Sequence, residues 1–78
     1  MRVEVKAFGE IDFFIPGAKF GQTFELELPP GSTIKSALEK LGIPPNIYGL
    51  LLNGRHVTAE APLKDGDKII LLEALNGG

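Results

Sequence analysis

Only one stretch of this chain carries helical periodicity, and that limits the folds open to it. Ile34, Ala37, Leu38 and Leu41 recur at helical spacing behind Ser32 or Thr33, either of which suits an N-cap. Gly42 supplies a left-handed stop, and Pro44-Pro45 forbid continuation. The spacing predicts a helix of about ten residues with one apolar face, too short to be stable alone in water. Such a helix must lie on a sheet. One helix can cover only one of the sheet's faces.

The rest of the chain supplies the strands. From Arg2 to Phe8, Val3, Val5 and Ala7 alternate with Arg2, Glu4 and Lys6, the pattern of a strand with one buried face. Gln22 to Leu28 alternates likewise, with Phe24, Leu26 and Leu28 inward. Gly9 to Gly21 reads as an irregular loop joining the two strands into a long hairpin, and Pro29-Pro30-Gly31 ends the second strand. After the helix, Tyr48 to Leu52 forms the next strand. Asn53-Gly54 is a strong hairpin-turn signal, and Arg55-His56-Val57 begins the return. Ala61-Pro62-Leu63 is irregular, Lys64-Asp65-Gly66-Asp67 is a further turn, and Lys68 to Glu73 is the last strand. The order is β-β-α-β-β-β. A right-handed crossover through the helix can bring the final strand beside the first hairpin. The fold class read from this order is α+β, a β-grasp: a mixed sheet of four to five strands with one main helix on one face. Residues 1–73 form the domain, and Ala74 to Gly78 form a flexible tail.

Composition narrows the function classes. With 78 residues there is room for one domain only, and its core must be well made to hold. The absence of cysteine excludes disulfides, thiolate metal sites and thiol nucleophiles. A single histidine without cysteine leaves a structural zinc site nowhere to form. A net charge of −2 argues against a nucleic-acid partner, and no apolar run approaches the roughly 20 residues of a membrane span. Met1-Arg2-Val3-Glu4 leads straight into strand-like sequence, so no signal peptide is expected. A cytoplasmic domain, monomeric when free, is the expectation.

Catalytic chemistry finds few residues. His56 follows a tight turn without a nearby nucleophile and reads as an exposed strand residue. Asp65 and Asp67 resemble an acid pair, but one glycine separates them and no ligand series follows, so the turn reading is preferred. Pro29-Pro30-Gly31-Ser32 has a single glycine where a phosphate loop needs several. No catalytic residue and no metal ligand is assigned, and the chain is expected not to be an enzyme by itself.

Two other features stand out. Gly77-Gly78 is free of side chains and slender enough to thread into a partner's active site, where the Gly78 carboxylate would be the reactive group. A carboxylate must be activated before a nucleophile attacks it, usually by adenylation. Leu50-Leu51-Leu52 and Ile69-Ile70-Leu71-Leu72 are apolar on both faces of their strands. If Leu50, Leu52, Ile69 and Leu71 face the helix, then Leu51, Ile70 and Leu72 face away and form a docking patch beside the tail. Phe13 and Phe14 either extend this partner-binding surface or cap the open end of the core.

In this order the residues resemble the ubiquitin-like sulfur carriers, the group of the small molybdopterin synthase subunit and the thiamine-biosynthesis carrier. The resemblance covers the whole chain. It rests on Leu50-Leu51-Leu52-Asn53-Gly54, on Leu63-Lys64-Asp65-Gly66-Asp67 and on the terminal Gly77-Gly78, with Gly42-Ile43-Pro44-Pro45 similar to the segment after the helix in ubiquitin. It implies that an E1-like adenylating enzyme binds the open sheet face and adenylates Gly78. A persulfide sulfur then displaces AMP and leaves a thiocarboxylate, which a synthase subunit accepts. Gly77 and Asn76 would belong to the entering tail, and Leu51, Ile70 and Leu72 to the docking patch. ATP and magnesium would be supplied in the activating enzyme, with no cofactor bound by the chain itself. The sequence departs from the pterin carriers in lacking a helix pattern over Gly9 to Gly21 and a proline over Glu73 to Asn76. Pterin cofactor synthesis is the first expectation for the sulfur and thiamine the second. A ubiquitin-like modifier joined through Gly78 to a lysine is an alternative reading. So is a non-catalytic interaction module or small subunit of a larger enzyme.

Overall fold

The computed structural model describes residues 1–8, 22–44 and 48–73. Five strands and one helix are present among them: β1 (Arg2–Phe8), β2 (Thr23–Glu27), α1 (Ile34–Leu41), β3 (Tyr48–Leu52), β4 (Arg55–His56) and β5 (Lys68–Glu73). The strands form one mixed sheet in the order β2-β1-β5-β3-β4. β1 pairs antiparallel with β2 and parallel with β5, while β3 pairs antiparallel with both β5 and β4. The last strand therefore lies at the centre of the sheet, between the two hairpins. This is the β-grasp arrangement expected from the element order.

α1 is two residues shorter than the roughly ten expected from apolar spacing, because both ends are closed by specific caps. At the start, Thr33 Oγ1 accepts from the Ser36 amide at 3.4 Å and the Thr33 amide donates back to Ser36 Oγ at 3.2 Å. At the end, Gly42 turns left-handed with φ of 77°, and the Ile43 amide donates to the Leu38 carbonyl at 2.9 Å. Two more donors at the helix start are met from a distant segment. The Ile34 amide bonds the Ala61 carbonyl at 3.1 Å, and the Lys35 amide bonds the Ala59 carbonyl at 2.8 Å. The stretch around Ala61-Pro62-Leu63 is thus irregular but closely tied to the helix, and it also sends Leu63 into the core.

The core lies between the helix and one face of the sheet. Val3, Val5 and Ala7 of β1, Ile69 and Leu71 of β5, Leu50 of β3 and Leu26 of β2 meet Ile34, Ala37 and Leu38 of the helix. Leu28 is buried although it lies just beyond β2, its amide donating to the Met1 carbonyl at 2.8 Å. No buried side-chain nitrogen or oxygen lacks a partner among the described residues. None of the described helices is long and apolar enough to cross a membrane.

Two turns lock together at one end of the sheet. Asn53 and Gly54 both have positive φ, 51° and 87°, as a two-residue hairpin requires. The Asn53 side chain donates to Asp67 Oδ1 at 2.9 Å and accepts from the Lys68 amide at 3.0 Å, while Asp67 Oδ2 accepts from the Lys64 amide at 2.8 Å. Asp65 Oδ1 accepts from the Arg2 amide at 2.7 Å. Both aspartates thus satisfy turn and strand backbone, as the turn reading expects. Replacing Asn53 by glycine keeps the left-handed backbone but removes two hydrogen bonds, each contributing about 0.5–1.5 kcal/mol. Asn53→Ala should cost about 1 kcal/mol more than Asn53→Gly, because alanine resists positive φ. Urea unfolding of the two variants checks the order.

Candidate functional site

The strand alternation that buries one set of side chains puts the next set on the face the helix leaves open. On that face the pairing register defines transverse rows. One row runs Thr23, Lys6, Ile70, Leu51, His56 across all five strands. The row toward the C-terminal end of β5 runs Phe8, Leu72, Gly49. The row on the other side holds Glu25, Glu4 and Lys68.

The three aliphatics expected on the open face are brought together there. Leu51 and Ile70 are direct cross-strand partners and are half-buried by their neighbours. Leu72 follows two residues along β5 and is 36% exposed, the one large hydrophobic in the exposed class among the described residues. Their neighbours Leu50, Ile69 and Leu71 are buried on the helix side, and Leu52 packs against the core from its margin. Phe8 joins the patch beside Leu72 and was not singled out from the sequence, although the phase of β1 puts it on the face of Arg2, Glu4 and Lys6. The Lys6 ammonium sits 5.3 Å from the Phe8 ring centroid, a cation–π contact at the patch margin.

Charge is unevenly spread around this patch. Glu4 and Glu25 oppose each other across β1 and β2, an unfavourable placement for like charges. Lys68 offsets it, its ammonium 4.0 Å from Glu4 Oε2. Both partners are well exposed, so the pair contributes at most about 1 kcal/mol. Lys68 shares the row of these acids and Lys6 the row of Ile70 and Leu51, and His56 is exposed at the far edge beside Leu51. A shallow depression of about 280 Å³ lined by Glu4, Lys6, Thr23, Lys68, Ile69 and Ile70 mixes both signs of charge. Among the described residues no three His, Cys, Asp or Glu side chains are grouped so as to hold a metal ion. The arrangement is an apolar patch with mixed charge beside it and no grouping of catalytic side chains among the described residues. Phe13, Phe14, Asn76, Gly77 and Gly78 lie outside the described residues, while β5 runs from the patch to Glu73, immediately before residues 74–78.

The sequence profile of the ThiS family matches residues 10–78. Among solved structures, SAMP1 from Haloferax volcanii superposes with a TM-score of 0.76 at 18% identity over the whole of both chains. A chain from the complex of subunits 1 and 2 of molybdopterin-converting factor from Helicobacter pylori gives a TM-score of 0.63 at 28% identity, again over the whole of both chains. A ubiquitin from Caldiarchaeum subterraneum gives 0.64 at 23% identity, covering 100% of this chain and 98% of its own. No curated protein sequence matches.

Adjacent residues on β5 allow the two faces to be compared directly. Leu71→Ala, which empties a fully buried site, should cost about 2–5 kcal/mol. Leu72→Ala should stay within about 1 kcal/mol of the parent, as surface changes do. Chemical denaturation of both variants separates a core strand face from an open one.

Proposed function

The chain belongs to the ThiS family, and from that premise we propose that it is a ubiquitin-like sulfur carrier whose Gly78 carboxylate is the working group. The observation that carries this reading is the continuity of β5. This central strand bears Ile70 and Leu72 on the open face and leads directly into residues 74–78, and the family match extends through Gly77 and Gly78. A partner seated on the patch would hold the tail's point of departure fixed, so that glycines without side chains could enter a narrow site.

In this reading an E1-like adenylating enzyme binds the open face and supplies ATP and magnesium. The Gly78 carboxylate attacks the α-phosphorus of ATP and expels pyrophosphate. A persulfide sulfur then attacks the acyl carbonyl and AMP leaves. A thiol cleaves the resulting sulfur–sulfur bond, giving the thiocarboxylate and a disulfide. A synthase subunit accepts the sulfur, for a pterin cofactor first and thiamine second. The likeness to a chain of the two-subunit molybdopterin-converting factor complex supports that order. The chain acts as co-substrate or small subunit, and its own residues dock and present the tail.

The same acyl-adenylate is competent to acylate a lysine. The fold shared with SAMP1 and the Caldiarchaeum ubiquitin supports protein modification as the second reading. Intact mass spectrometry of protein from its own cells, or after incubation with lysate, ATP and a sulfur source, distinguishes the two. A carrier gains the mass of one oxygen replaced by sulfur, located at Gly78 by fragmentation, and a modifier appears as a conjugate. Removing Gly77-Gly78 should abolish both products. A terminus that stays a plain carboxylate under those conditions would overturn the proposal.

A further inference from the structure

The Asn53-Gly54 pair that turns β3 into β4 also carries a reaction of its own. An asparagine followed by glycine can close on itself, because no Cβ on the glycine hinders its nitrogen. The Gly54 amide nitrogen loses its proton to solvent base and attacks Asn53 Cγ. Ammonia leaves, and a five-membered succinimide remains. Water then opens the ring at either carbonyl, giving an aspartate or an isoaspartate whose main chain runs through the former side chain. One water is consumed and one ammonia released, with no oxidant or cofactor. Asn53 is exposed, so water and base reach it.

The fold withholds the carbon that must be attacked. Asn53 Nδ2 donates to Asp67 Oδ1 at 2.9 Å, and Asn53 Oδ1 accepts from the Lys68 amide at 3.0 Å. Ring closure swings Cγ toward the Gly54 nitrogen, and an amide held at both ends must release these bonds to make that rotation. A carboxylate only accepts and a main-chain N–H only donates, so a carboxamide alone serves both partners. Asp67 is itself held, its Oδ2 accepting from the Lys64 amide at 2.8 Å. Asp65-Gly66, the other pair among the described residues able to close such a ring, is restrained differently. There the attacking nitrogen is engaged, the Gly66 amide donating to the Arg2 carbonyl at 2.7 Å.

We propose that Asn53 is a guarded self-modification site, silent while Asp67 and Lys68 hold its amide and open whenever the two turns part. The product cannot be held as before. A carboxylate at position 53 has no donor for Asp67 and repels it. An isoaspartate adds a main-chain carbon to the two-residue turn that sets the β3–β4 register. Converted chains therefore open more readily, and the change runs one way. It marks chains that have spent time open, whatever the chain carries on Gly78.

The test incubates the full chain at mildly alkaline pH, folded and in guanidinium chloride. Peptide mapping follows position 53 for the mass of NH replaced by O and for isoaspartate. Asn76, also followed by glycine, reports the unguarded rate in the denatured sample. Asn53 should convert at least about fivefold more slowly in the folded chain, the effect expected of two hydrogen bonds. Equal rates overturn the proposal. Asp67→Asn cannot accept from both Asn53 and Lys64, so it should raise the folded-state rate several-fold. An unchanged rate removes Asp67 from the guard. Asn53→Asp should lower the melting temperature, and adding Asp67→Asn should restore it, because the exchanged pair can form all three hydrogen bonds again. An Asn53→Asp chain as stable as the parent, or no recovery in the double variant, overturns the one-way change. Should Asp67→Asn alone fail to fold, the folded and denatured rates of the parent and the recovery in the double variant still decide.

Discussion

The pairing of β1 with β5 holds this molecule together. Each hairpin can form from local contacts, but neither has enough apolar surface to stand alone in water. Only when Val5 comes opposite Ile69 and Ala7 opposite Leu71 do the two hairpins become one sheet. The helix then has a continuous apolar floor. The pairing joins opposite ends of the sequence, so its loop-closure entropy is spent before any core contact offsets it. The interlocked turns help here. The Glu4 amide reaches the Asp67 carbonyl at 3.0 Å and the Gly66 amide reaches the Arg2 carbonyl at 2.7 Å, which fixes the register where β1 and β5 begin.

Among the described residues one helix covers one face of the sheet and none of them covers the other, and the sequence makes two uses of that second face. Around β1 and β2 it is charged, which keeps the exposed edge strand soluble and unattractive to other strands. Around β3 and β5 it is apolar. The division falls within single strands: β1 begins with Arg2 and Glu4 and ends with Phe8, and β5 begins with Lys68 and ends with Leu72. The apolar end is the one from which β5 leads into residues 74–78. Contiguous apolar surface of this kind commonly marks an interaction site.

Much of this was legible in the sequence, for reasons that can be named. Alternation fixed which of Val3, Val5 and Ala7 turn inward, Asn53-Gly54 fixed a turn whose backbone needs positive φ, and Gly42 fixed the helix end. The open-face placement of Leu51, Ile70 and Leu72 followed from period two alone. The segment Ala59 to Leu63 was harder to read, because it works through main-chain carbonyls offered to the helix, which leave no mark on residue type. The Asn53–Asp67 contact joins residues distant in sequence, and each already had a sufficient local reason to be there. Phe8 was legible but passed over, since the period that placed its neighbours had placed it too.

The parallel run of β1 beside β5 has a mechanical consequence. A pull on the chain beyond Glu73, with Met1 held back, draws the two strands in opposite directions along their own axes. Their hydrogen bonds are then loaded together in shear, where a hairpin pulled at its open end would surrender them one at a time. The core side chains of both strands must slide past Leu38 and Ile34 in the same event. A pull applied beyond Glu73 therefore loads the central β1–β5 pairing as a unit, together with the core that it carries.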